Sequence, residues 1–480
     1  MLITGTTHQT GAMYLAQTLG VRINLINLLL FTSGSLIIFF AYFSVLPIIA
    51  SGLTCYAFYI FLKLTKLGGI YERFIFNRVF AVGYLMAGVA AIYANHFEDV
   101  GQLNSDAASF FDIASGLQGV ELTLIELQII HESALAIVLW RAVYDFFASL
   151  GFPRERYIGI LVNMTAVALS GVVALKMTRL VFGHDPERFR RLTSLFACCG
   201  LFWLFAGIHL RDSVVLLSVT GLAYGWLHFL TKPDLGRRLL QIIALSLLAG
   251  LFFGFLRGEF MFVPIAMAMA GTAALMFGRK SRRNRLVPYM LVLVGLAMGG
   301  GMLATFSEAI QYALFKGNED YSELASAQHG TDSLGMALIV NQAMPIRLLL
   351  GSVYLFVFPI PFWIGFQLDS AYSLFKSFNV VFFYFVVPLL GLSVTRLWTN
   401  KSKHTPAILF VLFLSLGFTF AIAGTSLETR HFGAFLAPIF VLALLPDLHV
   451  SAVRRNYKKL LKIMFFGVAI VHLAWIFLKL

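Results

Sequence analysis

The chain has 480 residues, of which 59% are hydrophobic and only 12% are charged, and its mean hydropathy is +0.84. These values exclude a water-soluble protein, because a globular chain of this size needs far more charge to cover its surface. The net charge of +13 does not indicate nucleic-acid binding, since the basic residues form short clusters between apolar runs, as in the cytoplasmic loops of membrane proteins.

Apolar runs close to the ~20 residues that cross a bilayer recur along the whole chain. Six basic clusters orient them, and we predict that all six are cytoplasmic: 63–78, 176–191, 232–238, 279–285, 396–403 and 454–462. The sequence therefore predicts an all-α, polytopic helical bundle, a single transmembrane domain over 1–480. About thirteen spans are expected, at 24–42, 44–63, 77–95, 157–176, 193–210, 213–231, 239–256, 260–277, 287–305, 378–396, 405–424, 432–449 and 463–480.

Two further apolar stretches, 121–150 and 346–360, are predicted not to cross fully. Consecutive cytoplasmic clusters must be separated by an even number of crossings, and this holds only if both stretches are interfacial or re-entrant. The first is too polar for a lipid-exposed span, and the second is short and ends in a Pro-aromatic segment. The polar loops 96–120 and 306–345 are then extracytoplasmic.

The first extracytoplasmic loop contains a carboxylate at the start of a short amphipathic pattern. Phe110 and Ile113 follow Asp106 by four and seven residues, a spacing that predicts a helix lying on the membrane. Ser105 or Asp106 could simply cap that helix. A carboxylate at the membrane surface is also where the hydroxyl of a sugar acceptor would need a general base. Both interpretations of Asp106 stay open.

Two later extracytoplasmic turns each place an arginine beside an acid. Arg211 precedes Asp212 in the first turn, and Arg257 is followed by Glu259 in the second. Local ion pairs would explain them, but charges at this depth are costly, and an arginine here could hold a lipid-linked phosphate through two parallel hydrogen bonds. These residues are therefore candidates for a phosphate site.

The last extracytoplasmic turn, 424–432, leads into an apolar helix that contains Pro438. Arg430 and His431 lie at the beginning of that helix, where the helix dipole disfavours cations unless an anion is bound nearby. Glu428 could be that anion or could support the binding of one. Cations at the positive end of a helix dipole favour a functional role for Arg430 and His431 over a role in packing.

The order of these features resembles polytopic bacterial glycosyltransferases of the GT-C type and the related exopolysaccharide and O-antigen polymerases. The similar features are Asp106 with Phe110 in the first loop, Arg211 with Asp212, the Glu428-Thr429-Arg430-His431 segment before Pro438, and the Pro-aromatic stretch 359–363. The chain departs from the family at His431, where a Tyr is usual, and at Asp112, because the second acid is usually closer to the first-loop Asp.

The resemblance implies transfer from a polyprenyl-phosphate or diphosphate-linked saccharide donor to a saccharide or glycan acceptor, in the bacterial inner membrane. It implies catalytic roles for Asp106, Asp212 and His431, binding of the donor phosphate by Arg211, Arg257 and Arg430, and support from Glu259 and Glu428. No protein metal ligands are predicted, although a divalent cation is a possible cofactor. The sequence as given has no large C-terminal extracytoplasmic domain, which favours a saccharide over a protein acceptor.

A lipid-linked oligosaccharide flippase or other transporter is the alternative interpretation. Transporters usually contain two related halves and polar residues at the bilayer midplane. The two halves of this chain do not match, and its polar residues gather towards one face. A structural subunit of an envelope assembly is a third interpretation, but it leaves the arginines unexplained.

Overall fold

A computed structural model describes residues 7–65, 68–96, 105–116, 124–130, 133–232, 235–278, 339, 342–366, 370–400 and 405–479. Within these ranges the backbone is helical apart from short connections, and no described residue lies in a strand. The predicted all-α membrane class is therefore confirmed. We number the described helices α1 to α18 in chain order.

The first half of the described chain packs around one long, buried helix. Its helices are α1 (Thr7–Tyr42), α2 (Leu46–Leu64), α3 (Ile70–His96), α4 (Ser105–Gly116), α5 (Leu124–Ile130), α6 (Ala134–Ser149), α7 (Arg156–Phe182), α8 (Pro186–Cys198) and α9 (Gly200–Gly207). Helix α7 has 27 residues, or about 40 Å, and packs against α3, α9 and the next helix, α10 (Asp212–Leu230). Its two ends define the two polar ends of the bundle.

The second half continues with α11 (Leu235–Leu256), a 3-10 turn at Gly258–Phe262, and α12 (Val263–Phe277). After the gap in the described residues come α13 (Met344–Val357), a 3-10 turn at Phe362–Phe366, and the long helix α14 (Ala371–Thr399). The last four helices are α15 (Pro406–Gly424), α16 (Thr429–Gly433), α17 (Leu436–Ala443) and α18 (Ser451–Lys479). Helix α12 packs against α15, and α14 packs against α9 and α18.

Ten of the described helices are long and apolar enough to cross a membrane. They correspond to ten of the predicted spans, and the predicted span 287–305 lies outside the described residues. The predicted span 193–210 is instead broken: α8 and α9 meet at Cys199 with a bend of 59°. Next to this bend, Gly200 approaches the backbone of Phe375 so closely that a Cβ atom would not fit.

The predicted span 432–449 is divided between α16 and α17, which have 5 and 8 residues. Pro438 has no backbone N–H donor and is best tolerated in the first turn of a helix, so a new helix begins two residues before it. The described part of the stretch 121–150 contains α5 and α6, of 7 and 16 residues, and the stretch 346–360 lies in α13, of 14 residues, as far as Val357. Both are shorter than a span, but their position relative to a bilayer stays a prediction.

Candidate functional site

One buried amide fixes the turn that carries Arg211 and Asp212. The side-chain nitrogen of Asn163, in α7, donates to the backbone oxygens of Ile208 (2.6 Å) and Leu210 (3.0 Å). The Asn163 oxygen accepts a hydrogen bond from the indole nitrogen of Trp140 at 3.3 Å. Buried carbonyls without partners are costly, so this one amide stabilises the non-helical link between α9 and α10. Asp212 consequently begins α10 at a fixed position.

His209 holds the same turn from the other side. Its Nε2 atom lies 2.9 Å from the Tyr144 hydroxyl, and its ring packs on Trp140 with the ring centroids 4.1 Å apart. Burial, and secondarily the positive charge of Arg156, lowers the pKa of His209 to about 3. His209 is therefore a neutral packing residue near neutral pH.

Asp212 lies at the centre of the site and is almost fully buried. Its two carboxylate oxygens face two arginines from distant turns: Arg257 Nη1 lies 3.7 Å from Oδ1, and Arg430 Nε lies 3.9 Å from Oδ2. These distances describe ion pairs and are longer than hydrogen bonds. Asp212 thus pairs with the arginines of the two later turns. If each arginine paired only with the acid next to it in the sequence, this arrangement would not arise.

His431 continues this network through both ring nitrogens. Its Nε2 atom lies 2.7 Å from Arg257 Nη2, and its Nδ1 atom lies 3.0 Å from the hydroxyl of Ser426. A guanidinium group can only donate, so Nε2 accepts from Arg257 and Nδ1 carries the proton that is shared with Ser426. Burial lowers the pKa of His431 well below its ordinary value, and the charges of Arg257, Arg430 and other nearby cations lower it further. The imidazole is therefore neutral.

Arg211 connects this cluster to the first-loop helix. It is buried, donates a hydrogen bond to the hydroxyl of Ser133, and its guanidinium lies 5.6 Å from the centroid of the Phe110 ring. Phe110 lies in α4, is buried inside the protein and packs against Trp140. Asp106 lies in the first turn of α4, one turn before Phe110. Helix α4 is therefore held against the site.

Glu428 links the last turn to α14. It caps the N-terminus of α16 by accepting from the backbone nitrogen of Arg430 (3.2 Å), and also accepts from Lys376 Nζ (3.2 Å) and the Tyr372 hydroxyl (3.0 Å). Burial alone would raise the pKa of Glu428, but the charges of Lys376 and Arg430 and these hydrogen bonds lower it to about 2. Glu428 is therefore ionised and pairs with Lys376, a residue that the sequence did not indicate.

Several residues around the site were only weakly indicated by the sequence. Lys376 follows Tyr372 by four residues on one helix face, but the predicted span began at 378 and left both in the preceding segment. Ser133 looked like part of a polar interfacial stretch. Arg347 is buried and donates to the oxygens of Ala423 (3.3 Å) and Thr425 (2.5 Å) at the end of α15. Its charge there complements the C-terminal end of the helix dipole, so Arg347 supports the turn 424–431.

A largely apolar cavity of about 550 Å³ opens beside this cluster, between α12 and α15. Six representative lining residues are Phe260, Val263, Met269, Phe418, Ser426 and His431. Met269 is 67% exposed, so the cavity reaches the outer apolar surface of the bundle. His431 and Ser426 therefore lie at the inner end of an apolar path from the lipid-facing surface.

The described residues contain no group of three or more His, Cys, Asp or Glu side chains that could hold a metal ion. Asp212 is the described carboxylate between Arg257 and Arg430, and two cations beside a single carboxylate do not form a cation-binding donor set. The side chains of Asp106 and Glu259 lie outside the described set, although both residues fall in described helical turns.

No family profile matches the chain, and no curated protein matches it. Two solved structures are similar in fold. One is the archaeal oligosaccharyltransferase AglB from Archaeoglobus fulgidus in complex with an inhibitory peptide and a dolichol-phosphate, with 13% identity, a TM-score of 0.44, and coverage of 83% of this chain and 54% of that one. The other is the Archaeoglobus fulgidus oligosaccharyltransferase in complex with Zn and sulfate, with 13% identity, a TM-score of 0.42, and coverage of 81% and 52%.

The chain spans about half the length of these two structures. At this identity and at these TM-scores, the similarity does not establish a family or a function. Function is therefore inferred from the residues around Asp212.

Proposed function

We propose that the chain is a GT-C-like glycosyltransferase or polysaccharide polymerase that takes polyprenyl-phosphate or diphosphate-linked saccharide donors. We place it in the bacterial inner membrane, with transfer at the extracytoplasmic face, in the synthesis of a cell-surface glycan. One observation carries the proposal: Arg257 and Arg430 meet at the buried carboxylate of Asp212, and Arg257 contacts His431, which lines the inner end of an apolar cavity open to the lipid-facing surface.

The charge around the site suits a phosphate. Arg211, Arg257, Arg430 and Lys376 all contribute positive potential at His431, and Lys376 also pairs with Glu428 at 3.2 Å. Asp212 faces both Arg257 and Arg430, and Glu428 also interacts with Arg430. A phosphate group binds guanidinium groups through charge-assisted, parallel hydrogen bonds, which are stronger than the long ion pairs seen here.

The cavity suits the lipid part of the same donor. Its lining is dominated by Phe, Val, Met and Ala side chains, and its polar groups lie at the end that contains Ser426 and His431. An isoprenoid chain buried there would place its phosphate beside Arg257, which contacts His431 directly. The apolar contact contributes affinity, and the cations fix the orientation of the donor.

The proposed transfer forms a bond from the acceptor hydroxyl oxygen to the anomeric carbon of the donor. The bond between that carbon and the phosphate oxygen breaks, and its electron pair leaves on the phosphate, which Arg257 and Arg430 stabilise. The hydroxyl proton passes to a carboxylate, which we assign to Asp106. Asp212 then holds the two arginines, and His431 positions Arg257. The described residues do not form a donor set for a divalent cation, and no step is assigned to one.

Binding of defined lipids to purified protein tests the donor class. Undecaprenyl diphosphate should raise the melting temperature of the detergent-solubilised protein, and undecaprenol, which lacks the phosphates, should not. Filling the cavity with Ala421→Phe should abolish the shift. Leu416→Phe provides the control, because Leu416 is exposed on the same helix and is not among the residues that line the cavity.

Lipid analysis of cells separates transfer from transport. Loss of the enzyme should cause a polyprenyl-linked saccharide to accumulate in extracted lipids while a surface glycan is lost. In membranes, the protein should convert that lipid into free polyprenyl phosphate or diphosphate. A flippase would move the lipid across the bilayer without breaking the glycosidic bond, and that result would contradict the proposal.

A further inference from the structure

A second cavity, of about 580 Å³, lies between α8 and α14, beside the start of α18. We call it the α8–α14 groove; six of its lining residues are Arg190, Ser194, Trp203, Phe382, Phe385 and Tyr457. It shares no lining residue with the cavity between α12 and α15. Neither the proposed transfer nor the packing around Asp212 uses it.

The apolar wall of the groove has the dimensions of one lipid chain. Its residues on α14 extend from Phe378 to Leu389, eleven positions apart, which corresponds to about 16 Å along a helix. The hydrocarbon core of a bilayer is about 30 Å thick, so this wall covers roughly the depth of one leaflet. Phe378 and Phe385 are more than 40% exposed, so the wall is open to a ligand from the side.

The polar end of the groove is strongly basic. Arg190, Tyr457 and one acid, Glu187, line it, and the stretch 451–462 at the start of α18 carries five exposed basic residues and no acid. Arg191 is committed to the backbone oxygens of Pro446 (2.9 Å) and Ala443 (3.3 Å). Arg190, by contrast, is 40% exposed and lies 3.8 Å from Glu187, a loose surface pair that contributes little stability. Its guanidinium can therefore bind an anion at the mouth of the groove.

We propose that the α8–α14 groove binds one acyl chain of an anionic phospholipid, with Arg190 and the basic start of α18 holding the lipid phosphate. Charge complementarity and the depth of one leaflet select this occupant. Basic residues that border a membrane-embedded apolar groove attract anionic lipids by about 1 kcal/mol each. Arg190, Arg191 and Tyr457 lie at its basic end, and none of its lining residues belongs to the Asp212 cluster.

Trp203 provides a direct reporter, because it lines the groove and its indole nitrogen is fixed to the Ala197 oxygen at 2.7 Å. The protein is reconstituted in phosphatidylcholine nanodiscs that contain a minor fraction of a lipid with brominated acyl chains. This lipid is either brominated phosphatidylglycerol or brominated phosphatidylcholine. The signal of Trp203 is the difference in fluorescence between the protein and Trp203→Phe. Brominated phosphatidylglycerol should quench this signal at lower lipid fractions than brominated phosphatidylcholine does.

Arg190→Gln should reduce this selectivity by about fivefold, the equivalent of one basic contact. Arg396→Gln should leave it unchanged, because Arg396 lies in the last turn of α14 and is not among the lining residues. Ser194→Phe, at an exposed lining position, fills the groove without removing a charge and should reduce quenching by both lipids.

Three results would overturn the proposal. Equal quenching by the two brominated lipids would show that the groove does not select charge. Relief of the quenching by soluble glycerol phosphate would indicate a headgroup-only anion site. Protection of Trp203 from both lipids, together with a dimer in solution, would show that a second copy of the chain covers the groove.

Discussion

At the level of single residues, the contact between His431 and Arg257 decides what the histidine can do. The lone pair of Nε2 is engaged by Arg257, and the proton of Nδ1 is engaged by Ser426. A general base needs a lone pair directed at the substrate. We therefore interpret His431 as a positioning residue for Arg257, in contrast to the catalytic role that the sequence suggested.

Replacing His431 with Gln should retain most of the activity, since the amide oxygen can accept from Arg257, whereas His431→Leu should lose it. The pKa of His431 is lowered, so the ring is neutral near pH 7, and both the native protein and His431→Gln should show the same acid limb in their pH–rate profiles. His431 binds a proton more tightly in the unfolded state than in the folded state, because its pKa is lowered only on folding. The free energy of unfolding should therefore fall as the pH drops below about 6.5, and this fall should be smaller in His431→Gln. Equal inactivation by Gln and Leu would favour a base.

Asp106→Asn tests the proposed general base. The substitution keeps the shape and the capping ability of the side chain but removes the proton acceptor. We expect a loss of about 10² to 10⁴-fold in glycan transfer with normal protein abundance. Asp112→Asn is the matched control, because Asp112 is exposed on the same helix. Full activity of Asp106→Asn would show that Asp106 has only a structural role at the start of the helix.

Arg→Lys substitutions at 257 and 430 test the phosphate site. Lysine keeps the charge but loses the planar fork that binds phosphate through two hydrogen bonds. Each substitution should lower transfer on the order of a hundredfold and should abolish the thermal shift caused by undecaprenyl diphosphate. Arg141→Lys is the control, since Arg141 pairs with Asp145 in α6 at 3.8 Å and lies outside the cluster. Mild effects at both positions would indicate a structural ion-pair network.

At the level of elements, the sequence predicted some helices well and could not predict how their ends meet. The spacing of Phe110 and Ile113 from Asp106 was enough to predict α4, because one helix face had to be apolar. The partner of Asp212 was not predictable in the same way. Arg257 and Arg430 are 45 and 218 positions further along the chain, and only the packing of α10 against α11, α12 and α16 brings the three turns together.

Asn163 is the residue of α7 on which the Asp212 turn depends. Asn163→Ala would leave the oxygens of Ile208 and Leu210 without their side-chain donor, at a cost of about 1–3 kcal/mol for each buried group. We expect a lower melting temperature and a loss of transfer. Ser170→Ala is the matched control: Ser170 is also buried in α7, but its hydroxyl bonds only to the Ala166 oxygen of its own helix in the described contacts. Equal effects of the two substitutions would contradict this role.

At the level of the whole molecule, hydropathy predicted the spans because burial in lipid demands long apolar helices. It failed where a polar or crowded contact breaks a helix. The segment 193–210 is apolar throughout its second half, yet the chain bends by 59° where Gly200 packs closely against α14. The segment 432–449 is also apolar, but it follows the Glu428 cap and contains Pro438, and it forms two short helices. Such contacts cannot be predicted from composition alone.

The orientation of the bundle yields the last prediction. Helix α7 separates two polar ends: Asn163 near its start holds the Asp212 turn, whereas Arg179 near its end pairs with the buried Glu72 at 2.8 Å. The start of α18 is strongly basic, so the positive-inside rule predicts that this second end is cytoplasmic and that the Asp212 cluster is extracytoplasmic. The loops 96–120 and 306–345 should share the outer side.

Cysteine labelling of spheroplasts can decide the orientation in a variant whose native cysteines, Cys55, Cys198 and Cys199, are replaced. Asp112→Cys and Ser322→Cys should react with an impermeant maleimide in intact spheroplasts, and Ser451→Cys should react only after permeabilisation. Asp112 and Ser451 are both exposed, so the difference between them reports the compartment and not burial. Labelling of Ser451→Cys in intact spheroplasts, with protection of the other two, would invert the topology. The Asp212 cluster would then face the cytoplasm, where an extracytoplasmic transfer reaction cannot take place.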